Sequence, residues 1–394
     1  MRLAEWLGFQ RNLRYLLAVI LLVGAGEELW MRFLPKYLQV LGAAALIIGL
    51  FDALKTLLGA VYAYPGGVLV DRWGHRRALL AFNALSILGY ALVLLVPHWA
   101  AVILGMFLFL AWSNFSLPAT FSLVGASLPP EQHAMGIGVQ SLVKRAPILV
   151  GPILGGMFLD RYGVVGGMRI GLGASIVLGA VAMVLDQRIR DLILESTRNL
   201  PGFLGVVRDF DPRLRRLLFS DILIRFCERI PYAWIVIYAL DHVGVSATAV
   251  GVLTAVEMVA AIACYLPAAY FADRYGREPF VVATFVFFTL FPLTMLVART
   301  FTLLLAAFVI RGLKEFGEPA RKALIISYSP AGATGRAVGA YYLIRDVVVS
   351  AGSLVGAVLW RIGPAVNFAG AGALGAAGTV LYITTLRTRN AGAQ

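Results

Sequence analysis

Charge is scarce in this sequence. Only 14% of its 394 residues are Asp, Glu, Lys or Arg, while 60% are hydrophobic; a soluble domain carries roughly 25% charged residues. A soluble chain of this length would lack the polar surface to stay in solution, which excludes an ordinary cytosolic enzyme and a disordered chain. Cysteine is scarcer still. Cys227 and Cys264 both sit in apolar stretches, so neither a disulfide framework nor a cysteine metal site is expected. The four histidines, His75, His98, His133 and His242, fall in or near loops, leaving no paired-histidine metal motif and no Ser–His or Cys–His couple inside an apolar run. A G-x-x-x-x-G-K-[ST] loop is absent too, so neither a nucleotide nor any other cofactor is expected.

What the chain has instead is long apolar runs. A bilayer core about 30 Å thick takes about 20 mostly apolar residues per helix. That ruler finds twelve candidate spans, roughly 13–38, 44–70, 78–97, 100–127, 134–159, 165–186, 217–240, 247–270, 280–298, 301–328, 337–360 and 365–386. The runs are continuous rather than alternating in ten-residue units, which argues against a strand barrel. The predicted fold is an all-α integral membrane protein of twelve transmembrane helices. The run from Leu13 leads straight into Glu27 and Glu28 with no small-residue cleavage pattern, so it reads as the first span, not a leader.

The formal net charge is +13, yet the basic residues lie between the apolar runs, so no nucleic-acid partner is expected. Roughly 18 Lys and Arg fall on the side of the amino terminus and roughly 5 on the other, which puts both termini in the cytoplasm. The densest cluster is Arg188, Arg190, Arg198, Arg208, Arg213, Arg215 and Arg216, with Pro201, Gly202 and Pro212 among them. This one long polar interruption suggests a six-helix bundle over 1–187, a cytoplasmic linker over 188–216 and a second bundle over 217–394.

The halves repeat. Gly42, Gly49, Pro65, Asp71, Arg72 and Gly74 stand 202 residues before Gly244, Gly251, Pro267, Asp273, Arg274 and Gly276. Pro118, Pro129, Gly151 and Gly155 stand 201 before Pro319, Pro330, Gly352 and Gly356. Six helices followed by the same six in order give two pseudo-symmetric bundles related about the membrane normal, with a substrate site expected between them.

Between spans two and three runs Gly67-Val68-Leu69-Val70-Asp71-Arg72-Trp73-Gly74-His75-Arg76-Arg77, and the second half carries Asp273-Arg274-Tyr275-Gly276-Arg277 at the matching place. A chain that must end one helix and reverse within a few residues needs such a glycine. With this signature, twelve spans and duplicated halves, the chain resembles the major facilitator superfamily over its whole length. The resemblance implies that family's fold, and a role for Gly67, Asp71, Arg72, Gly74 and Arg76 in locking the halves together on the cytoplasmic side. Asp273, Arg274 and Gly276 would do the same in the second copy, where Ala269 replaces the first glycine and Glu278-Pro279 the trailing basic residues. Gly151-Pro152-Ile153-Leu154-Gly155-Gly156, with Gly138 upstream and Pro147 in place of a glycine, resembles the family's antiporter motif and implies export.

Ionisable groups inside the spans are costly and mark function. Span ten holds Arg311, Lys314, Glu315, Glu318, Arg321 and Lys322 within about 120° of one face. Pro319 weakens that helix beside the charges, so it is expected to bend there. Span seven carries Asp221, Arg225, Glu228 and Arg229; span one carries Glu27, Glu28 and Arg32. Asp52 and Lys55 share a face of span two, with Glu257 at the repeat position of Lys55. Lys144 and Arg145 in span five stand against Arg345 and Asp346 in span eleven, as a charge pair across the seam between halves would. Span four is neutral, with Trp112, Ser113, Asn114, Ser116 and Thr120. In the family resembled, spans one, four, seven and ten line the central cavity. Trp30, Trp112 and Trp234 are candidates for an aromatic wall, and Glu28, Glu228, Glu315 or Glu318 for the group that takes a proton.

These features point to a secondary active transporter of a small organic solute, in a cytoplasmic (inner) membrane, working by alternating access and driven by an ion gradient. Export against proton entry is favoured; uptake or exchange of an organic anion is the alternative within transport. A non-transporting sensor would carry an added signalling domain, and an intramembrane enzyme would need a nucleophile with a base. A monomer is expected, with substrate, protons and lipid as its partners.

Overall fold

The computed structural model describes residues 11–127, 133–189, 207–208, 210–329 and 334–391. The described chain is helical. In order the helices are α1 (Arg11–Glu28), α2 (Leu34–Val40), α3 (Ala45–Trp73), α4 (His75–Leu95), α5 (Trp99–Ser127) and α6 (His133–Asp186). Then follow α7 (Pro212–Tyr232), α8 (Trp234–Tyr238), α9 (Ala247–Tyr275), α10 (Glu278–Val297), α11 (Phe301–Leu313), α12 (Glu318–Ser327), α13 (Thr334–Ile362) and α14 (Pro364–Ala391).

Eight described helices are long and apolar enough to cross a membrane, and one of them, α6, bends at Gly163 into two spans. The spans that miss the criterion are one, seven and ten, which hold most of the charges named above and are each built from two helices. Proline accounts for the breaks, because it lacks an N–H and its ring clashes with the carbonyl four residues back. In span one α1 stops at Glu28, a 3-10 turn covers Met31–Phe33, and Pro35 sits in the first turn of α2. In span seven α7 carries Pro231 in its last turn and stops at Tyr232, and a π turn, Ala239–Val243, follows α8. In span ten α11 ends at Leu313 and α12 restarts at Glu318 with Pro319 in its first turn. The expected bend at the charged stripe is therefore a full interruption. The Gly317 N–H, orphaned by it, donates to Thr284 Oγ1.

The sequence repeat is a structural repeat. Helices α3 and α9 are 29 residues each and start 202 apart. The left-handed glycines also pair at that interval: Gly42 with Gly244 (φ 83° and 76°) and Gly74 with Gly276 (φ 78° and 96°). At each of these turns a side chain would be strained, since L-residues avoid positive φ.

Two compact units emerge. The first gathers the described residues of 1–43, 58–198 and 246–255; the second gathers those of 44–57, 199–245 and 256–394. Inside the first, α6 packs on α1 and α4, and α4 on α5. A side chain at Gly151 would strike Glu28, and one at Gly155 would run into the Leu29 carbonyl. Inside the second, α14 packs on α7 and α10, and α13 on α7. Gly352 meets Arg229 there, and Gly356 meets the Ile230 carbonyl, the same contacts 201 residues on. Small residues let helix backbones approach closely, which in lipid supplies much of the packing energy.

Candidate functional site

In the second unit the breaks in spans seven and ten expose charged positions to one another. Asp221 Oδ2 accepts Arg321 Nη1 at 2.5 Å, Tyr341 Oη at 3.0 Å and Arg345 Nη1 at 3.4 Å. Arg321 also reaches Glu318 at 2.7 Å, and Glu318 takes Arg225 Nη2 at 2.6 Å. Arg225 reaches Glu228 at 2.8 Å; Glu228 takes Lys314 at 2.6 Å; Lys314 lies 3.9 Å from Glu257. Glu257 takes Arg311 at 2.9 Å. The chain of contacts ends at Arg311 on one side and on the other at Asp346, held by Arg345 at 2.8 Å; a separate pair, Asp52 and Arg229, lies 3.9 Å apart, and Asp52 accepts Ser353 Oγ at 2.6 Å.

Six cations and six carboxylates thus balance: Arg225, Arg229, Arg311, Lys314, Arg321 and Arg345 against Asp52, Asp221, Glu228, Glu257, Glu318 and Asp346. Aromatic faces cover the cations. Arg311 lies over Phe291 at 5.2 Å, Arg225 over Phe288 at 4.9 Å and Arg345 over Tyr342 at 4.6 Å. Buried ions survive only when paired, and each ion of this set has a partner of opposite charge no more than 3.9 Å away.

Span one in the first unit is built differently. Glu27 accepts the hydroxyls of Tyr90 and Ser113, each at 2.7 Å, and makes no ion pair among the described residues. It opens on a cavity of about 50 Å³ lined also by Trp112, Ser116, Thr120, Gln140 and Lys144. A bound water needs roughly 10–15 Å³ of such volume, whereas an organic ligand pocket runs to about 300 Å³ or more. This cavity is large enough for water and too small for an organic ligand.

Other predicted positions fall as follows. Glu28, Arg32, Arg145, Glu315 and Lys55 are half-buried; Lys322 is exposed. Trp30 is packed, its indole N–H on Ser175 Oγ at 2.8 Å and its ring edge-on to Phe109. Trp234 stacks on Trp360; Trp112 alone of the three tryptophans lines the cavity. In the loops Arg72, Arg76 and Arg274 are exposed, and Asp273 lies 3.5 Å from Arg277. Gly67 and the side chain of Asp71 lie outside the described residues. Sequence reasoning missed Tyr90, Tyr341 and Ser353, whose hydroxyls sit in apolar runs with nothing to mark them. It also missed Asp160, whose carboxylate accepts the N–H groups of Ala247 and Thr248, both at 2.8 Å, at the start of α9.

Twelve helical spans in a repeated order, three of them broken around charge-lined or polar interiors, define a multi-pass membrane transporter. The family model described as Major Facilitator Superfamily matches residues 16–207 and 217–393. The chain belongs to that superfamily. Among curated proteins it is similar to the multidrug resistance protein MdtG of Salmonella paratyphi B and of Salmonella typhi, 26% identical over 370 residues covering 90% of this chain and 89% of each relative. Among solved structures it resembles the nucleoside transporter NupG (TM-score 0.79, 12% identity, 95% of this chain and 99% of that one). It also resembles a POT family transporter in complex with 5-aminolevulinic acid (TM-score 0.78, 13% identity, 95% of each chain). At such identities the structures speak for the fold alone.

Proposed function

We propose that this transporter exports small organic compounds against proton entry, by alternating access, as a monomer in the cytoplasmic membrane with both termini inside. The observation that carries the reading is Glu27. It is the one carboxylate of the site held by neutral hydroxyls beside a water-sized cavity, so it can gain or lose a proton without breaking an ion pair. Glu228 and Glu318 from the sequence-based candidates are each clamped by two cations. Similarity to proteins named for multidrug resistance supports export, as does the antiporter-like glycine run packed on Glu28 and Leu29 beside it. Uptake of an organic anion gains less support, because the cations of the network all have carboxylate partners. The basic loop residues Arg72 and Arg76, with Asp71, are assigned to the cytoplasmic lock.

The test uses proteoliposomes with an imposed pH gradient and fluorescent lipophilic dyes as trial substrates. Glu27→Gln is expected to keep dye-dependent thermal stabilisation and to lose gradient-driven dye movement. Gradient-driven transport at the wild-type rate in Glu27→Gln refutes the assignment.

A further inference from the structure

Asp186 closes the last turn of α6 and has no exposed surface. Ala182 and Ile189, about a turn to either side, and Phe82, next to its partner Asn83, belong to the apolar core of the first unit. Its side chain has one hydrogen bond among the described residues. Oδ2 accepts Asn83 Nδ2 at 3.3 Å, and Oδ1 has no donor. Asn83 Nδ2 also donates to the Gly179 carbonyl at 3.2 Å. That bond fixes the amide, because turning it over would set its oxygen against two acceptors. Asn83 Oδ1 is therefore a second buried oxygen lacking a donor.

Ionised, Asp186 would keep a full charge in an apolar core on one long contact, whereas Asp221 in the other unit is met by Arg321, Arg345 and Tyr341. An unpaired buried carboxylate is costly enough that it neutralises instead. The titratable side chains described on the elements around it are Arg14, Tyr15, Glu27 and Glu28 on α1, His75, Arg76, Arg77 and Tyr90 on α4, and Arg188 beyond α6. The four arginines are exposed, and Asp186 is bonded to or paired with none of these groups among the described residues.

We propose that Asp186 is a proton-binding site of the folded protein, holding its proton for Asn83 Oδ1 and so tying span three to span six as a neutral acid–amide pair. This proton is distinct from the one assigned to Glu27 and does not rest on that assignment. Its linkage has a definite sign. The folded chain holds a proton that the unfolded chain releases, so stability is greatest at low pH and falls as pH rises.

The experiment follows melting temperature and infrared spectra of the purified full-length protein from about pH 5 to about pH 9, for wild type, Asp186→Asn and Glu27→Gln. Asp186→Asn, a neutral isostere, is expected to melt with the wild type at the acid end and to lose the alkaline decline of several degrees. Glu27→Gln keeps that decline, together with a protonated-carboxyl band that disappears at alkaline pH. A variant Asp186→Asn that melts well below wild type at the acid end overturns the proposal, as does an alkaline decline left intact in it. Should Asp186→Asn fail to accumulate, the band decides: a protonated-carboxyl band in Glu27→Gln that moves in Glu27→Gln with Asn83→Ala supports the site, and no such band overturns it.

Discussion

The buried network of the second unit makes a prediction about charge balance. Asp221→Asn removes the anion nearest Arg321 and leaves that guanidinium, almost wholly buried, with Glu318 as its remaining partner. Breaking a buried pair by deleting one ion costs about 3–5 kcal/mol. The surviving Glu318 contacts, and the Arg345 and Arg225 that would be left facing an amide, place this substitution near about 3 kcal/mol on that scale. In a unit of about 200 residues, each kcal/mol moves the melting temperature by roughly 2–4 °C, so a drop of roughly 6–12 °C is expected. Arg321→Met should cost about as much, by stranding Asp221 and Glu318. The double variant restores the balance of signs and is expected to recover at least half the summed loss, because replacing a whole buried pair is often neutral. The exposed pair Asp273–Arg277 serves as control: Asp273→Asn should shift melting by no more than about a degree or two. The assay is thermal unfolding in detergent with a double-mutant cycle. Losses that simply add in the double variant, or an Asp221→Asn shift no larger than the control's, would show that balance of charge is not what holds these helices.

Two further outcomes follow from packing and capping. Gly155→Ala drives a methyl into the Leu29 carbonyl and should destabilise by about 1–3 kcal/mol, whereas Gly173→Ala, with open space at the same atom, should be neutral; equal melting temperatures would contradict the close approach of the α1 and α6 backbones. Asp160→Ala removes the acceptor for the first N–H groups of α9 and should cost about 1 kcal/mol, read as faster amide exchange at Ala247 and Thr248; unchanged exchange there would refute the cap.

Much of this protein is written in local pattern. Hydropathy runs announced the spans because lipid offers no partner for a backbone, so every crossing must be a helix. The repeat at intervals of 201 and 202 announced the paired turns, because a left-handed turn needs glycine wherever it recurs, as at Gly74 and Gly276. Pro319 announced a weak point in span ten, although not a complete break. Pairing was a different matter. Six ionisable residues share one face of span ten, yet of these Glu318 takes Arg321 and, from span seven, Arg225, while Lys322 is exposed. Which charge meets which depends on how helices distant in sequence approach one another, and on hydroxyls such as Tyr90 and Tyr341 that no composition marks as functional. For the same reason the sequence reading offered Glu28 and not its neighbour Glu27 as a proton carrier, whereas the fold puts Ser113 and Tyr90 beside Glu27: a carboxylate's chemistry is set by the donors around it, and those come from other helices.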